Sequence, residues 1–159
     1  MMNLRLIAAL WIALMPVAGF SQQTAFGSAT VDPDTPVEVE SDELRVNQDD
    51  GTAEFIGNVV IVQGPMRLAA PRVLVIYDEE GEEVREMEAT GGVTMVSGED
   101  AAEAQSAFYN IENGKVRLTG DVLLVQGEST LASQDMTIDL TTGSAQASGR
   151  VKTLLNAKD

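Results

Sequence analysis

The sequence predicts an all-β chain of antiparallel strands, bent at glycines and stacked one on the next. Three observations predict it. Apolar and polar residues alternate from Val37 almost to Leu155, the period of a strand with one buried face. A Gly-x-Val recurs inside that alternation as Gly57-Asn58-Val59, Gly91-Gly92-Val93, Gly120-Asp121-Val122 and Gly149-Arg150-Val151, at spacings of 34, 29 and 29 residues. Finally, a turn dipeptide precedes each copy: Asp50-Gly51, Glu80-Gly81, Asn113-Gly114 and Thr142-Gly143.

In chain order, residues 1–21 read as a secretory signal peptide: Arg5 opens the segment, Leu6 to Ala18 is apolar, and Gly19-Phe20-Ser21 offers small residues for cleavage before Gln22. Retention of the run as a membrane anchor is the alternative. The run is shorter than the roughly 20 residues a span needs, and it carries Pro16. Residues 22–36, ending Asp32-Pro33-Asp34-Thr35-Pro36, have little apolar content and are expected to form a flexible leader. Residues 37–155 are the β domain, and 156–159 a short tail.

Within that domain, the positions two and four before each central glycine are Phe55 and Ala53, Ala89 and Met87, Leu118 and Val116, Ala147 and Ala145, all apolar. Between them lie Glu54, Glu88, Thr90, Arg117, Thr119, Gln146 and Ser148, with Ile56 the exception. Beyond each glycine, Val59, Val93, Val122 and Val151, then Ile61, Met95, Leu124 and Thr153, keep the same parity. The glycines share it, so their missing side chains are expected to face inward. An inward Gly weakens a strand; its repetition is read as a sharp bend between sheets, with room for a ligand as an additional reason.

Asp-Gly and Asn-Gly between alternating runs signal hairpins whose turn residues take positive φ. The second copy is longer there, with the run Glu79-Glu80-Gly81-Glu82-Glu83, read as a solvated hairpin tip rather than a cation site. A second turn follows at Gly64, Gly98 and Gly127. Return strands then carry Val73, Val75 and Tyr77; Ala107, Tyr109 and Ile111; and Met136, Ile138 and Leu140 inward. Val62, Val96, Val125 and Leu154 fall on the opposite parity near the second turn, where a bulge would exchange the faces. A parallel β-helix shares the 29-residue period but does not need hairpin turns inside each repeat.

Composition narrows the function. Without residues 1–21 the chain keeps nine basic residues against 25 acidic ones, a net charge of −16, which repels nucleic acid. There is no Cys, so stability rests on packing rather than disulfides, and no His, which removes the usual general base and most zinc sites. We therefore assign no catalytic residue, no metal and no cofactor; nothing in the sequence around acid pairs such as Glu99 and Asp100 suggests a pocket.

These residues carry a family resemblance. Stacked units of strand, Asp/Asn-Gly turn, Gly-x-Val strand and Gln-Gly turn behind a signal resemble the OstA-like domain of the periplasmic lipopolysaccharide-transport protein A family. Phe55-Ile56-Gly57-Asn58-Val59-Val60-Ile61-Val62-Gln63-Gly64 and Leu118-Thr119-Gly120-Asp121-Val122-Leu123-Leu124-Val125-Gln126-Gly127 carry most of it. The resemblance implies an open β-jellyroll whose greasy groove shields the acyl chains of lipid A. It also implies end-to-end stacking, with partners among the inner-membrane-anchored and outer-membrane components of the transport system, and no catalysis. Two departures stand out: few basic residues to meet lipid phosphates, and almost no tail after the last repeat.

On this reading the lipid-binding inward face comprises Phe55, Val59, Ile61, Val75, Tyr77, Met87, Val93, Met95, Tyr109, Ile111, Val116, Leu118, Val122, Leu124, Met136, Ile138, Leu140 and Val151, with strand bends at Gly57, Gly91, Gly120 and Gly149. Two alternatives stay open, an ordinary protein core in a polymerising β-scaffold that binds no lipid, and a membrane-anchored sibling of the same pathway. The outer strands, Val37 to Val46 and Arg150 to Leu155, are candidate edges for head-to-tail homo-oligomers or partner pairing; the counter-reading is a monomer whose edges are blunted by Lys152 and the polar leader.

Overall fold

The computed structural model describes residues 31, 32 and 34–155 of the chain; the expected signal peptide, residues 22–30 and 33 of the expected leader, and the whole of the expected tail lie outside them. Ten strands follow one another: β1 (Glu38–Glu40), β2 (Glu43–Asn47), β3 (Thr52–Gln63), β4 (Met66–Tyr77), β5 (Val84–Ser97), β6 (Asp100–Asn110), β7 (Lys115–Gln126), β8 (Ser129–Asp139), β9 (Ala145–Ser148) and β10 (Lys152–Leu154). They form one antiparallel sheet in the order β1-β3-β4-β5-β6-β7-β8-β10, with β2 also on β3 and β9 also on β8. The expected all-β, open antiparallel architecture is observed.

The turns differ in kind at the two ends of the strands. Gly64-Pro65, Gly98-Glu99 and Gly127-Glu128 are two-residue connections in which the first residue alone has positive φ, the arrangement of a type II′ hairpin. At the other end, residues 48–51 and 111–114 make four-residue connections. There Asp50 and Asn113 keep negative φ and only the following glycine is left-handed, so the two-residue Asn-Gly hairpin suggested by the sequence is not formed. Asn113 instead caps its turn, its N–H donating to Asn110 Oδ1 at 3.1 Å while its own Oδ1 accepts from the Lys115 N–H at 3.0 Å. The acidic tip between β4 and β5 lies in solvent, with Glu79, Glu80, Glu82 and Glu83 all exposed, and Asp78 Oδ1 accepts from the Glu82 N–H at 2.9 Å.

A corner crosses the long strands halfway along. The register slips between Ile56 and Val59, Thr90 and Val93, and Thr119 and Val122. In the β7–β8 ladder, Gly120 and Asp121 stand opposite Gln134 alone, a two-for-one bulge. Gly57, Gly91, Gly120 and Gly149 have φ of 81°, 91°, 83° and 78°, where a side chain is strained. The residue after each is left-handed too: Asn58 at 46°, Gly92 at 99°, Asp121 at 46° and Arg150 at 49°. Asn and Asp tolerate that region better than most residues, and here both tie the corner together. Asn58 Nδ2 donates to Asp42 Oδ2 at 2.8 Å, and Asp121 accepts from Gln105 Nε2 at 2.9 Å and Gln134 Nε2 at 3.3 Å.

The corner doubles the sheet into two arms. A first arm holds residues 52–56, 72–77, 84–90, 106–110, 115–119 and 135–139 with β2 and β9; a second holds 59–63, 66–70, 93–97, 100–104, 122–126 and 129–133 with β1 and β10. One contact shows that the arms face each other. Tyr109 Oη donates to Gln63 Oε1 at 2.6 Å, although β3 and β6 are three strands apart in the sheet, a lateral distance of about 14 Å. The contact therefore crosses the gap, and the arms are skewed, so that β3 of the second arm reaches toward β6 of the first. Among the described residues a single hydrophobic cluster lies between the arms, with Val73, Met95, Val116, Met136 and Ile138 wholly buried.

Candidate functional site

The interior is a trough whose two walls are the apolar faces of the arms. Of the residues expected on it, Val59, Ile61, Val75, Met87, Val93, Met95, Tyr109, Val116, Leu118, Val122, Leu124, Met136, Ile138 and Leu140 are buried together. Phe55, Tyr77 and Ile111 are partly buried and packed against that cluster. Val151 departs from the expectation: it is 50% exposed. It lies between β9 and β10, which pair with β8 and with no further strand among the described residues, so nothing stacks over it.

The central glycines are also placed differently from the expectation. A Cβ built on Gly57 would meet Asp42, on Gly91 Pro71, on Gly120 Gln105 and on Gly149 Gln134, all four exposed residues. The missing side chains therefore face the outer ridge of the corner and leave no room in the trough. Parity fails because two bulge residues together with Thr119 span the outside of the bend, after which Val122 returns inward.

The faces are exchanged elsewhere than the second turn. Val62 and Val125 stay partly exposed, and Val96 and Leu154 are exposed, so the outgoing halves keep their parity to Gln63, Ser97 and Gln126. It is the return strands that slip. In β4 the buried series runs Met66, Leu68, Ala70 and then Val73; in β6 it runs Ala102, Ala104 and then Ala107; in β8 Ser133 precedes Met136. Sequence reasoning missed Met66, Leu68, Ala70, Ala102 and Ala104 for this reason. The odd step from Ala70 to Val73 was the available signal, reinforced by Pro71, because proline in a strand marks a bulge or an edge.

The middle of the trough is filled by side chains from both arms, while its ends are open. At the β1 end, Val37, Val39, Phe55, Val75, Tyr77, Val84 and Met87 surround a space of about 270 Å³. At the β10 end, Leu124, Gln126, Ser129, Thr130, Leu131, Thr153 and Leu155 frame a smaller one of about 40 Å³. Apolar side chains lie uncovered at both ends: Leu44 and Val46 on β2 beyond the first space, and Leu155, just after β10, at the rim of the second.

Polar groups in the trough are few and partnered. Gln63, 1% exposed, accepts from Tyr109 through Oε1 and donates through Nε2 to the Thr35 carbonyl at 3.0 Å. Burial pushes the Tyr109 phenol above its ordinary pKa of 10. Thr35 belongs to the leader, which is held rather than loose over its described part: the Val31 N–H donates to the Leu140 carbonyl at 2.9 Å, and the Val31 side chain is buried in the main cluster.

Comparison with known proteins adds three findings. The family described as "LptA/(LptD N-terminal domain) LPS transport protein" matches residues 38–144. Uncharacterized protein R00383 of Rhizobium meliloti (strain 1021) is 28% identical over 121 residues, 70% of this chain and 65% of that protein's length, so the chain spans less than two thirds of that curated relative. Among solved structures, LptH of Pseudomonas aeruginosa, described as the LptA homologous periplasmic component of the conserved lipopolysaccharide transport device, superposes with a TM-score of 0.71 at 16% identity, covering 80% of this chain and 99% of LptH. That likeness speaks for the fold.

Proposed function

The chain belongs to the LptA/(LptD N-terminal domain) lipopolysaccharide-transport family, and from that premise we propose that it is a periplasmic carrier whose trough shields the acyl chains of lipid A on the way between the two membranes. The observation that carries this reading is an apolar interior running the length of the sheet and open at both ends. A core serving stability alone gains nothing from apolar steps such as Leu44 and Leu155 left bare at its ends.

Magnitudes favour lipid over charge. Burying an acyl chain of about 14 carbons is worth on the order of 10 kcal/mol at roughly 0.8 kcal/mol per CH₂. Repulsion of lipid phosphates by exposed carboxylates at physiological salt amounts to about 1 kcal/mol or less per pair. The net charge of −15 therefore steers the phosphates outside without preventing acyl burial. The central packing has to part for a chain to pass, which the absence of covalent cross-links between the arms permits.

The test is direct. A photoreactive amino acid at Val122, inside the trough, should cross-link purified lipopolysaccharide, and the same group at Leu123, its outward neighbour, should not. Equal labelling at both positions, or none at either, would leave the non-binding scaffold as the better reading.

Edge pairing is the second half of the proposal. Among the described residues β10 has one covered side, on β8, and β1 and β2 have one, on β3, so each end of the described sheet offers a strand edge to a pathway component or to another copy. Thr153→Pro should lower the concentration-dependent apparent mass in size-exclusion chromatography, because proline at mid-β10 either removes an outward donor or detaches the strand. An unchanged elution profile across concentrations would argue for the monomer.

A further inference from the structure

We propose that the outer face of the second arm is the docking surface for a second copy of this chain, giving a back-to-back pair about a twofold axis that runs along the strands. The inference is independent of what the trough holds.

The two outer faces differ in chemistry. On the first arm, outward charges are paired between neighbouring strands, as Arg72 is with Glu54 and Arg117 with Asp135. On the second arm the outward positions lie in two lateral rows, one from Glu38 on β1 to Leu154 on β10, the other from Glu40 to Lys152. Between these ends the rows are mostly apolar: Val60 stands beside Ala69, Val96 beside Ala101 and Leu123 beside Ala132. Val96 and Leu123 are 38% and 37% exposed. The charges on this face, Arg67, Glu103, Glu40 and Lys152 among them, make no ion pair among the described residues. An apolar sheet face carrying unmatched charges is a layer that lacks its facing layer.

The strand order says what fits. The arm runs β1-β3-β4-β5-β6-β7-β8-β10, so its midline falls between β5 and β6. A copy given half a turn about that midline lays its β6 over β5, its β7 over β4, its β8 over β3 and its β10 over β1. Each contact then occurs twice. Large residues meet small ones, because Val96 faces Ala101 of the other copy, Leu123 faces Ala69 and Val60 faces Ala132. Beside Ala69 the face is hollowed: Asn58, Val60 and Pro71 border a depression of about 370 Å³, which Leu123 of the other copy enters. Opposite charges meet as well, since Glu40 and Lys152 come to the same rim and Arg67 comes within reach of Glu103 of the other copy.

The size is sufficient. At about 4.8 Å per strand and about 3.3 Å per residue, the face measures about 40 by 17 Å, so the pair covers about 1,300 Å² in all, inside the range of specific interfaces. The acidic tip between β4 and β5 belongs to the first arm and points away, which keeps most of the negative charge out of the contact. Both ends of the sheet stay uncovered, so end-to-end joining is not opposed.

Sedimentation velocity on Thr153→Pro protein tests the pair, because that change weakens end-to-end joining and leaves the middle of the face intact. A monomer–dimer equilibrium is expected. Adding Leu123→Glu should raise its dissociation constant by about tenfold or more, and adding Ala69→Lys to that protein should restore most of the loss. Within one copy β4 and β7 stand about 14 Å apart, so the two new charges can pair only between copies. Val96→Glu carries the same expectation of weakened pairing and has Arg67 beside it in the chain, which keeps the test open should Leu123→Glu, beside Glu103, fail to fold. Protein that is monomeric at every concentration, or that dimerises equally well with a carboxylate at either position, overturns the proposal. So does a failure of Ala69→Lys to rescue, or a monomer that floats with phosphatidylethanolamine vesicles, which would assign the face to a lipid surface.

Discussion

Met95→Asp is expected to leave the chain unfolded or nearly so at room temperature. Met95 sits at the centre of the stack with no exposed surface, opposite Leu68 on β4 and Ala102 on β6. A carboxylate there has no basic partner within the apolar cluster, and an uncompensated buried charge costs about 3 to 5 kcal/mol. That is a large part of the roughly 5 to 15 kcal/mol that holds a domain together. The urea midpoint measures it. Val151→Asp is the informative companion: sequence parity places Val151 on the same face as Val93 and Val122, whereas the structure leaves it in water, so its midpoint should move by an amount equivalent to no more than about 0.5 kcal/mol. A large loss at Val151 would restore the sequence reading of that edge.

Gly120→Val should destabilise by about 2 to 4 kcal/mol, the second largest effect. The backbone at φ 83° is strained for any side chain and most of all for a β-branched one, and the new Cβ would lie 2.6 Å from Gln105 Oε1 and 2.8 Å from its Cδ. Gln105 must then give up its bond to Asp121, which loosens the corner. Gly127→Ala separates the two causes, since Gly127 has φ 57° but nothing within 4 Å of a built Cβ, so only the backbone cost of about 1 kcal/mol remains. If both variants melt together, crowding at the ridge contributes nothing.

How much of this was legible in the sequence depends on how local the cause was. The outgoing strands read correctly, because the three outward residues Thr119, Gly120 and Asp121 return the alternation to its original parity at Val122. The return strands did not, because two outward residues, as at Gln105-Ser106, shift the alternation by one, and a reading anchored on Ala107 and Tyr109 then misses Ala102 and Ala104. The Gly-x pair was recognised as a bend but assigned to the wrong side of it. The identity of x carried the missing information: Asn58, Gly92 and Asp121 are residues that accept left-handed geometry, which marks a bulge. Tyr109 and Gln63 meet across the skew of two arms, a relation with no local period, and the described part of the leader is held through one apolar side chain, Val31, and the Thr35 carbonyl. Neither could be found by counting along the chain.

The skew has a mechanical consequence at the ends. Since the second arm is displaced along the stack relative to the first, each unit finishes as a step: the first arm projects past the second where Leu44 and Val46 are bare, and the second projects past the first where Leu155 is bare. Two units brought together through these ledges would meet as a lap joint, each overhang roofing the other's floor, and an oily passenger crossing the seam would find no gap open to water.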